Sequence, residues 1–469
     1  MRVWTVSTGP VRERPARRRR TGSPLAQTFD VLRELVLAAG RIVSKDRLID
    51  IAWRGQAVGD SNLEKLIAQL RQRLAEVDAE PLIETVARRG YRLITPVAYD
   101  EARLTDEELD AMMAPHLALV DGRALIESLD RARIEQALVV FSALVGREPQ
   151  NARCHAGLAN ACVWRFEATR ADASPDLAAL ERAAKHAAEA RRLDPQLAEA
   201  WAVFGFVLGR TGDPLKAVAA LRHAVALEPG SWHHHLRLAH VGWGGERLSA
   251  AQRTLELWPR LPVAHLLAAT VFVARGAGVL ARRELDSGLS AMSASTSTFS
   301  GVALHLVDGL VCLAEHDIQE AQAAFRREIA RESGGHLYAT EASANAWYAL
   351  GGLHLRVGDR GLAREAFGEA MARVPDHPQA RAGVAILEGG TYLAPPASTR
   401  RTFEFELGCA ALLSAAGNRA AAAHLVDEAL AAAPPGNSGW TLPVDPLLAV
   451  YDSPDVWARP LDRLRTRAS

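Results

Sequence analysis

Eight positions of this chain recur together: Trp201, Phe204, Gly205, Leu208, Ala217, Leu221, Ala224 and Pro229 return as Trp347, Leu350, Gly351, His354, Ala363, Phe367, Ala370 and Pro375, every pair 146 residues apart. No other feature restricts the fold as much. Within each set the residues fall at helical intervals on two successive segments. Small residues (Gly205, Ala217) stand where two helices would cross closely, large ones plug the neighbouring unit, and a proline punctuates before the next. Such a unit cannot bury its apolar face alone, so copies must stack into an array. Weaker copies surround the strong pair: Ala137, Phe141 and Pro149; Gly157 with Ala183, Ala187, Ala190 and Pro195, around a longer loop at Ala171–Pro175; Gly309, Ala321 and Phe325; and Gly408, Ala422, Val426, Ala429 and Pro434.

This spacing resembles the tetratricopeptide repeat, a helical hairpin of about 34 residues. The resemblance implies an all-α array over residues 118–436 that binds a protein or peptide partner or self-associates. Since the observed offset is not a multiple of that unit, irregular spacers are expected, and residues 232–298 read as helical but degenerate. Residues 96–117 read as an acidic connector (Asp100, Glu101, Asp106, Glu107, Glu108). Residues 437–469, with Trp440 and Trp457, read as a tail capping the last hairpin.

The first hundred residues are different. The whole chain has 55 basic and 55 acidic residues, but residues 1–99 hold 18 Lys+Arg against 11 Asp+Glu, a surplus of +7 balanced by −7 elsewhere. A basic module joined to an acidic one points to a polyanion for the first part alone. After an arginine-rich start, Arg17–Arg20 among it, Phe29, Leu32, Leu35, Val36 and Ala39 are spaced for a helix that Gly40 stops. Ser44 is placed to cap a second helix, with Val43 stapled onto Leu48; Leu48, Ile49, Ala52 and Trp53 form its inner face and Gly55 its end. Ser61-Asn62-Leu63-Glu64 is a capping box opening a third helix, with Leu63, Leu66, Ile67, Leu70 and Leu74 as its apolar stripe. Two β-like runs follow, Leu82–Val86 and Tyr91–Ile94, around Ala87-Arg88-Arg89-Gly90. Three helices and a hairpin with a basic tip are winged-helix organisation.

Gly40-Arg41-Ile42-Val43-Ser44, Leu48…Ala52-Trp53, Ser61-Asn62-Leu63, Ile67…Leu70-Arg71…Leu74 and Ile83-Glu84-Thr85-Val86…Gly90-Tyr91-Arg92-Leu93 resemble the OmpR/PhoB-type winged-helix effector domain of bacterial regulators, over residues 9–95. The resemblance implies that the third helix enters the major groove of double-stranded DNA and the wing the adjacent minor groove. Carried over by position, Trp53, Arg71, Thr85 and Tyr91 touch phosphate or set the wing. Asn62, Lys65, Gln69, Gln72 and Arg73 face the DNA, with Lys65, Gln69 and Gln72 at base edges, and Arg88 and Arg89 serve the wing. The residue chemistry agrees: Lys and Arg neutralise phosphate, while Asn or Gln pairs bidentately with adenine. Leu66 and Ala68 depart from the polar pattern of the family, and the N-terminal strands are represented only by a short stretch near Gly9–Ala26.

The expected fold class is therefore mostly α: an N-terminal α+β winged helix-turn-helix domain over residues 1–95, followed by an all-α repeat array. No glycine-rich phosphate loop, nucleophile elbow or His-Glu-x-x-His motif appears, so no catalytic residue, metal or cofactor is assigned. His233-His234-His235 lacks ligands at closing distance, and Cys154 and Cys162 read as small core residues. Val263–Ala281, the most apolar stretch, is interrupted by His265 and Arg275, short of a membrane span. No leader follows the basic start, and no receiver domain fits ahead of the first helix, so a cytoplasmic location is expected and any signal must enter through the repeats, another protein or concentration. The expected function is a sequence-specific transcriptional regulator acting on paired half-sites, with a possible homodimer on DNA. Two rivals stand beside it: a protein-interaction scaffold whose winged helix no longer binds DNA usefully, and an enzyme or small-molecule sensor within residues 232–298.

Overall fold

The computed structural model describes residues 4–5, 24–53, 60–75, 82–87, 89–94, 97–98, 106–293, 301–390 and 402–469. The chain divides into two compact units, residues 1–114 and 115–469. The first contains β1 (Trp4–Thr5), α1 (Pro24–Leu37), α2 (Lys45–Trp53), α3 (Asp60–Ala75), β2 (Ile83–Val86), β3 (Gly90–Leu93) and β4 (Val97–Ala98). Strands β2 and β3 form the antiparallel hairpin, registered Ile83 on Leu93 and Val86 on Gly90; β1 pairs in parallel with β4. One core joins the three helices to the hairpin, built on Val31, Leu35, Val43, Leu48, Leu63, Ile67, Leu70, Ile83 and Tyr91.

Two sequence expectations shift here. The inward line of α1 runs through Val31 and Leu35, while Phe29 is half exposed. Ala39 lies beyond the helix, where Ala39 and Gly40 turn the chain at φ 45° and 84°. Helix α3 begins at Asp60, so Ser61 lies inside it instead of capping it. The proposed cap of α2 is present: Ser44 Oγ accepts from the Arg47 N–H at 3.3 Å. Gly55, most of Gly9–Ala26 and Arg17–Arg20 lie outside the described residues.

The second unit is a stack of helical hairpins: α4 (Asp106–Glu127) with α5 (Arg131–Arg147), α6 (Ala152–Thr169) with α7 (Leu177–Leu193), α8 (Ala198–Arg210) with α9 (Pro214–Leu227), α10 (Trp232–Val241) with α11 (Gly245–Leu257), α12 (Pro262–Ala274) with α13 (Gly278–Ser293), α14 (Leu304–Ala314) with α15 (Ile318–Ala330), and α16 (Ala339–Arg356) with α17 (Arg360–Arg373). Then come α18 (Pro378–Glu388), α19 (Phe403–Ala415) with α20 (Arg419–Ala432), and α21 (Ala458–Arg467). The small-residue rule explains the crossings. A Cβ on Gly351 would stand 2.4 Å from the Phe367 ring, one on Gly309 2.6 Å from Phe325, and one on Gly205 2.7 Å from Leu221. Phe141 likewise plugs between Gly122 of its own hairpin and Gly157 of the next.

Three corrections follow. Residues 232–298 are not degenerate in structure: α10–α11 and α12–α13 are regular hairpins that continue the stack. The 146-residue offset therefore spans four hairpins of unequal length. The stretch read as an acidic connector is helical from Asp106, where α4 begins, and the division between the two units falls inside that helix at Ala114–Pro115.

The C-terminal segment does more than cap. It packs on α20, then runs back along the first helices of earlier hairpins. Tyr348 Oη on α16 donates to Asp445 at 3.0 Å, Arg356 pairs with Asp452 at 2.8 Å, and Arg275, the residue that ends α12, donates to the Ala468 carbonyl at 2.8 Å. Leu442, Leu448, Val450, Trp457 and Leu464 join Val271 and Ala274 of α12 and the inner faces of α19 and α20 in one core. At about 1.5–3 kcal/mol for each large apolar side chain buried, these five contribute roughly 8–15 kcal/mol, so the segment is a permanent part of the array.

Candidate nucleic-acid interface

Helix α3 separates its residues by chemistry. Leu63, Leu66, Ile67 and Leu70 are buried in the core, and Asn62, Lys65, Gln69, Gln72 and Arg73 are all exposed. At 3.6 residues per turn those five fall within about 100° of arc, a single polar face opposite the stripe. Leu66, a departure from the family pattern, belongs to the core; Ala68 is exposed beside the polar face.

The acidic start of α3 is neutralised locally. Lys45 on α2 reaches Asp60 and Glu64, each at 2.9 Å. The hydrogen bonds that the Lys45 ammonium donates to both carboxylates hold it charged far above the usual lysine range. This arrangement keeps two carboxylates at the α3 N-terminus from presenting bare negative charge, and it ties α2 to α3.

Arg71 points the other way from the polar face. Its guanidinium donates to the Ile83 carbonyl at 3.1 and 2.9 Å and to Thr85 Oγ1 at 2.7 Å, fixing strand β2 to the helix. Tyr91, only 3% exposed, exchanges backbone hydrogen bonds with Val43 at 2.9 and 3.0 Å. Burial raises its phenol pKa. Arg71, Thr85 and Tyr91 thus position the wing. Trp53 is half buried against the same core.

Gly90 makes that seat possible. It opens β3, one residue earlier than the sequence suggested, and has φ 136°; a Cβ there would lie 1.9 Å from the Val43 carbonyl oxygen. Arg89 is exposed in the turn at the wing tip. Arg88 lies outside the described residues. Sequence reasoning missed Lys45, for which the acid pair one turn apart on α3 was the available signal, and it quoted Gly90 without the close approach to Val43 that requires a glycine there.

Elsewhere the residues singled out earlier are occupied structurally. His233 meets Glu127, His234 meets Glu228, and His235 meets the Pro229 carbonyl, three directions in all. Cys154 and Cys162 are fully buried, which pushes each thiol up to about 11. Among the described residues no group of side chains could hold a metal ion, and no helix is long and apolar enough to cross a membrane.

Residues 24–93 form a winged helix-turn-helix domain with an exposed polar face on α3. The same residues match the family described as "Transcriptional regulatory protein, C terminal", so this segment is similar to the C-terminal, OmpR/PhoB-type domain of transcriptional regulators. The transcriptional regulator HilA of Salmonella typhi is 41% identical over 69 residues, 15% of this chain and 12% of HilA. The HilA protein of Salmonella typhimurium gives the same figures. The match thus spans about an eighth of those relatives' length. Among solved structures, the APC/C hetero-tetramer Cut9-Hcn1 is 15% identical with a TM-score of 0.45, covering 69% of this chain and 52% of that one. A tetratricopeptide repeat protein from Parabacteroides merdae is 15% identical with a TM-score of 0.36, covering 51% and 90%. The chain joins a segment similar to this family of transcriptional regulatory proteins, residues 24–93, to an array of helical hairpins.

Proposed function

We propose that this protein is a sequence-specific transcriptional regulator whose repeat array controls its activity by binding a protein partner or by self-association. The observation that carries the reading is the polar face of α3, presented opposite a fully buried stripe while Arg71 braces the wing. In this reading Lys65, Gln69 and Gln72 reach base edges, Asn62 and Arg73 face the DNA beside them, and Arg88 and Arg89 serve the wing in the minor groove. Trp53, Arg71, Thr85 and Tyr91 support them. A single winged helix reads a short site, so two copies of the chain on adjacent half-sites would supply a usable specificity. The scaffold alternative loses one of its motives, since Leu66 is a core residue.

In-vitro selection from random double-stranded DNA, with the full chain and residues 1–99 in parallel, tests this reading. One enriched motif in both samples supports a specific reader. Enrichment by the fragment alone places the repeats in control of DNA access. Absence of enrichment in both, with the fragment folded, sinks the regulator and leaves the scaffold.

A further inference from the structure

Helix α21 divides into two faces. Leu461, Leu464 and Ala468 follow the buried Trp457 at three- and four-residue intervals and pack into the core shared with α20. On the flank beside α20 stand Arg459, Arg463 and Arg467, one turn apart. Arg459 Nε lies 2.8 Å from Asp427 of α20, and Arg463 donates to the same carboxylate at 2.6 and 3.1 Å. Arg467 donates to the carbonyls of Leu430, Ala433 and Pro434 at the end of α20, at 3.2, 3.1 and 2.5 Å. A groove of about 390 Å³ joins the three arginines, with Asp462, Thr466 and Leu430 along it.

The groove is short of negative charge. Asp427, only 3% exposed, is the single carboxylate for Arg459 and Arg463. Asp462 is taken by Arg465 at 2.6 Å, and the acceptors of Arg467 are neutral carbonyls. Burial and the neighbouring Arg463 charge lower the Arg467 pKa. Among the described residues on these two helix flanks, four guanidiniums thus meet two carboxylates. Donors remain for a ligand. The Arg459 side chain is 74% exposed, and its two terminal nitrogens, like Nη1 of Arg463, have no partner among the described residues.

We propose that this groove binds an acidic peptide segment of a partner protein, one with carboxylates on alternate residues. Arg459 and Arg463 are separated by about 6 Å of helix rise, and alternate side chains of an extended chain lie about 6.6 Å apart on one side, so each carboxylate meets one guanidinium in a charge-assisted bond. Asp427 holds both arginines in place beforehand, which lowers the cost of ordering them on binding. The rest of the charge distribution favours a short ligand. Residues 100–469 carry a net −7, so a long polyanion such as a nucleic-acid strand meets repulsion beyond the groove, whereas a peptide of a few residues needs only the local surplus. The inference names the partner class of the array and rests on the partner-binding part of the function proposed above, not on DNA reading.

The test is fluorescence anisotropy of a fluorescein-labelled peptide of alternating glutamate and leucine, titrated with the full chain without DNA, so that its failure leaves the DNA-selection result standing. Saturable binding that weakens with salt is expected, and the glutamine–leucine counterpart should not bind. Arg459→Gln should weaken binding about fivefold or more. Asp427→Asn, which frees both guanidiniums, should tighten it several-fold, and Arg222→Gln, which breaks a surface pair with Glu246, should leave it unchanged. If limited proteolysis shows that Asp427→Asn loosens α21, Arg459→Glu decides, through a loss larger than that of Arg459→Gln. Absence of binding, equal binding of the two peptides, or an affinity untouched by Arg459→Gln overturns the proposal. Displacement by tripolyphosphate at lower concentration than by unlabelled acidic peptide also overturns it, in favour of a phosphate ligand.

Discussion

Gly90→Ala tests how the wing is held. The added Cβ would fall 1.9 Å from the Val43 carbonyl oxygen and 2.9 Å from Ser44 Cα, both backbone atoms that cannot swing aside like the end of a side chain. At φ 136° the alanine is also strained whatever the space. Left-handed strain of about 1–3 kcal/mol and overpacking of about 1–3 kcal/mol together give about 2–6 kcal/mol. A module of about 70 residues has roughly 4–10 kcal/mol to lose. The seat that breaks is the pair of backbone bonds between Val43 and Tyr91, so the loss should centre there. Hydrogen exchange on the full chain, read in peptides covering residues 43–53 and 82–94, should show protection falling by about 30-fold or more, as about 2 kcal/mol requires. Repeat peptides serve as the internal control and should not change. Protection unaltered within threefold would refute the close seating of the wing on Val43.

Lys65→Ala should lower the slope of log affinity against log salt by about 0.9 in DNA titrations, whereas Gln69→Ala should relax one base position and leave the slope alone; the reverse pattern would reassign both residues. Trp457→Ala should cost about 3–5 kcal/mol and expose residues 440–469 to limited proteolysis well below the melting temperature of the parent; equal protease resistance would show that the segment is held elsewhere. Stability should fall with acid. Burial depresses His377 to about 4 in the folded chain, so below pH 6.5 the unfolded chain binds a proton that the folded one refuses. The loss is roughly 1.4 kcal/mol per pH unit down to about pH 4. Burial likewise lowers His240 to about 3 and His336 to about 4, which adds in the same direction. Urea midpoints at pH 7.5 and 5.5 measure this; His377→Asn, which preserves an N-cap side chain for α18, should reduce the difference, and an unchanged difference would absolve His377.

Much of the repeat array was legible because its signals are local. Glycine–aromatic crossings and prolines after second helices repeat along the chain, so self-similarity located the strong hairpins. One local signal was overlooked. Turn and cap pairs open the second helices at Gly212-Asp213, His316-Asp317, Gly358-Asp359 and Gly417-Asn418, each with a left-handed first residue and a capping second one. Gly276, with φ 68°, and Pro259 continue that punctuation through residues 232–298. Reading it would have restored the two hairpins judged degenerate. On the candidate interface the polar face of α3 followed from periodicity, but the direction of Arg71 did not. Whether an arginine meets phosphate or a strand carbonyl depends on a hairpin folded back from residues 83–93.

The sequence by itself determined that residues 24–93 make a winged helix and that helical hairpins follow, since caps, stripes and close-crossing glycines act within a few turns of chain. Only the tertiary structure decided what the inner surface of the array is. Tyr348 meets Asp445 across 97 residues and Tyr338 meets Glu167 across 171, and no periodicity encodes those separations. Curvature accumulated over many hairpins brings distant segments together. Small rotations at each crossing decide where the C-terminal segment lies and which charged side chains it leaves paired across the array.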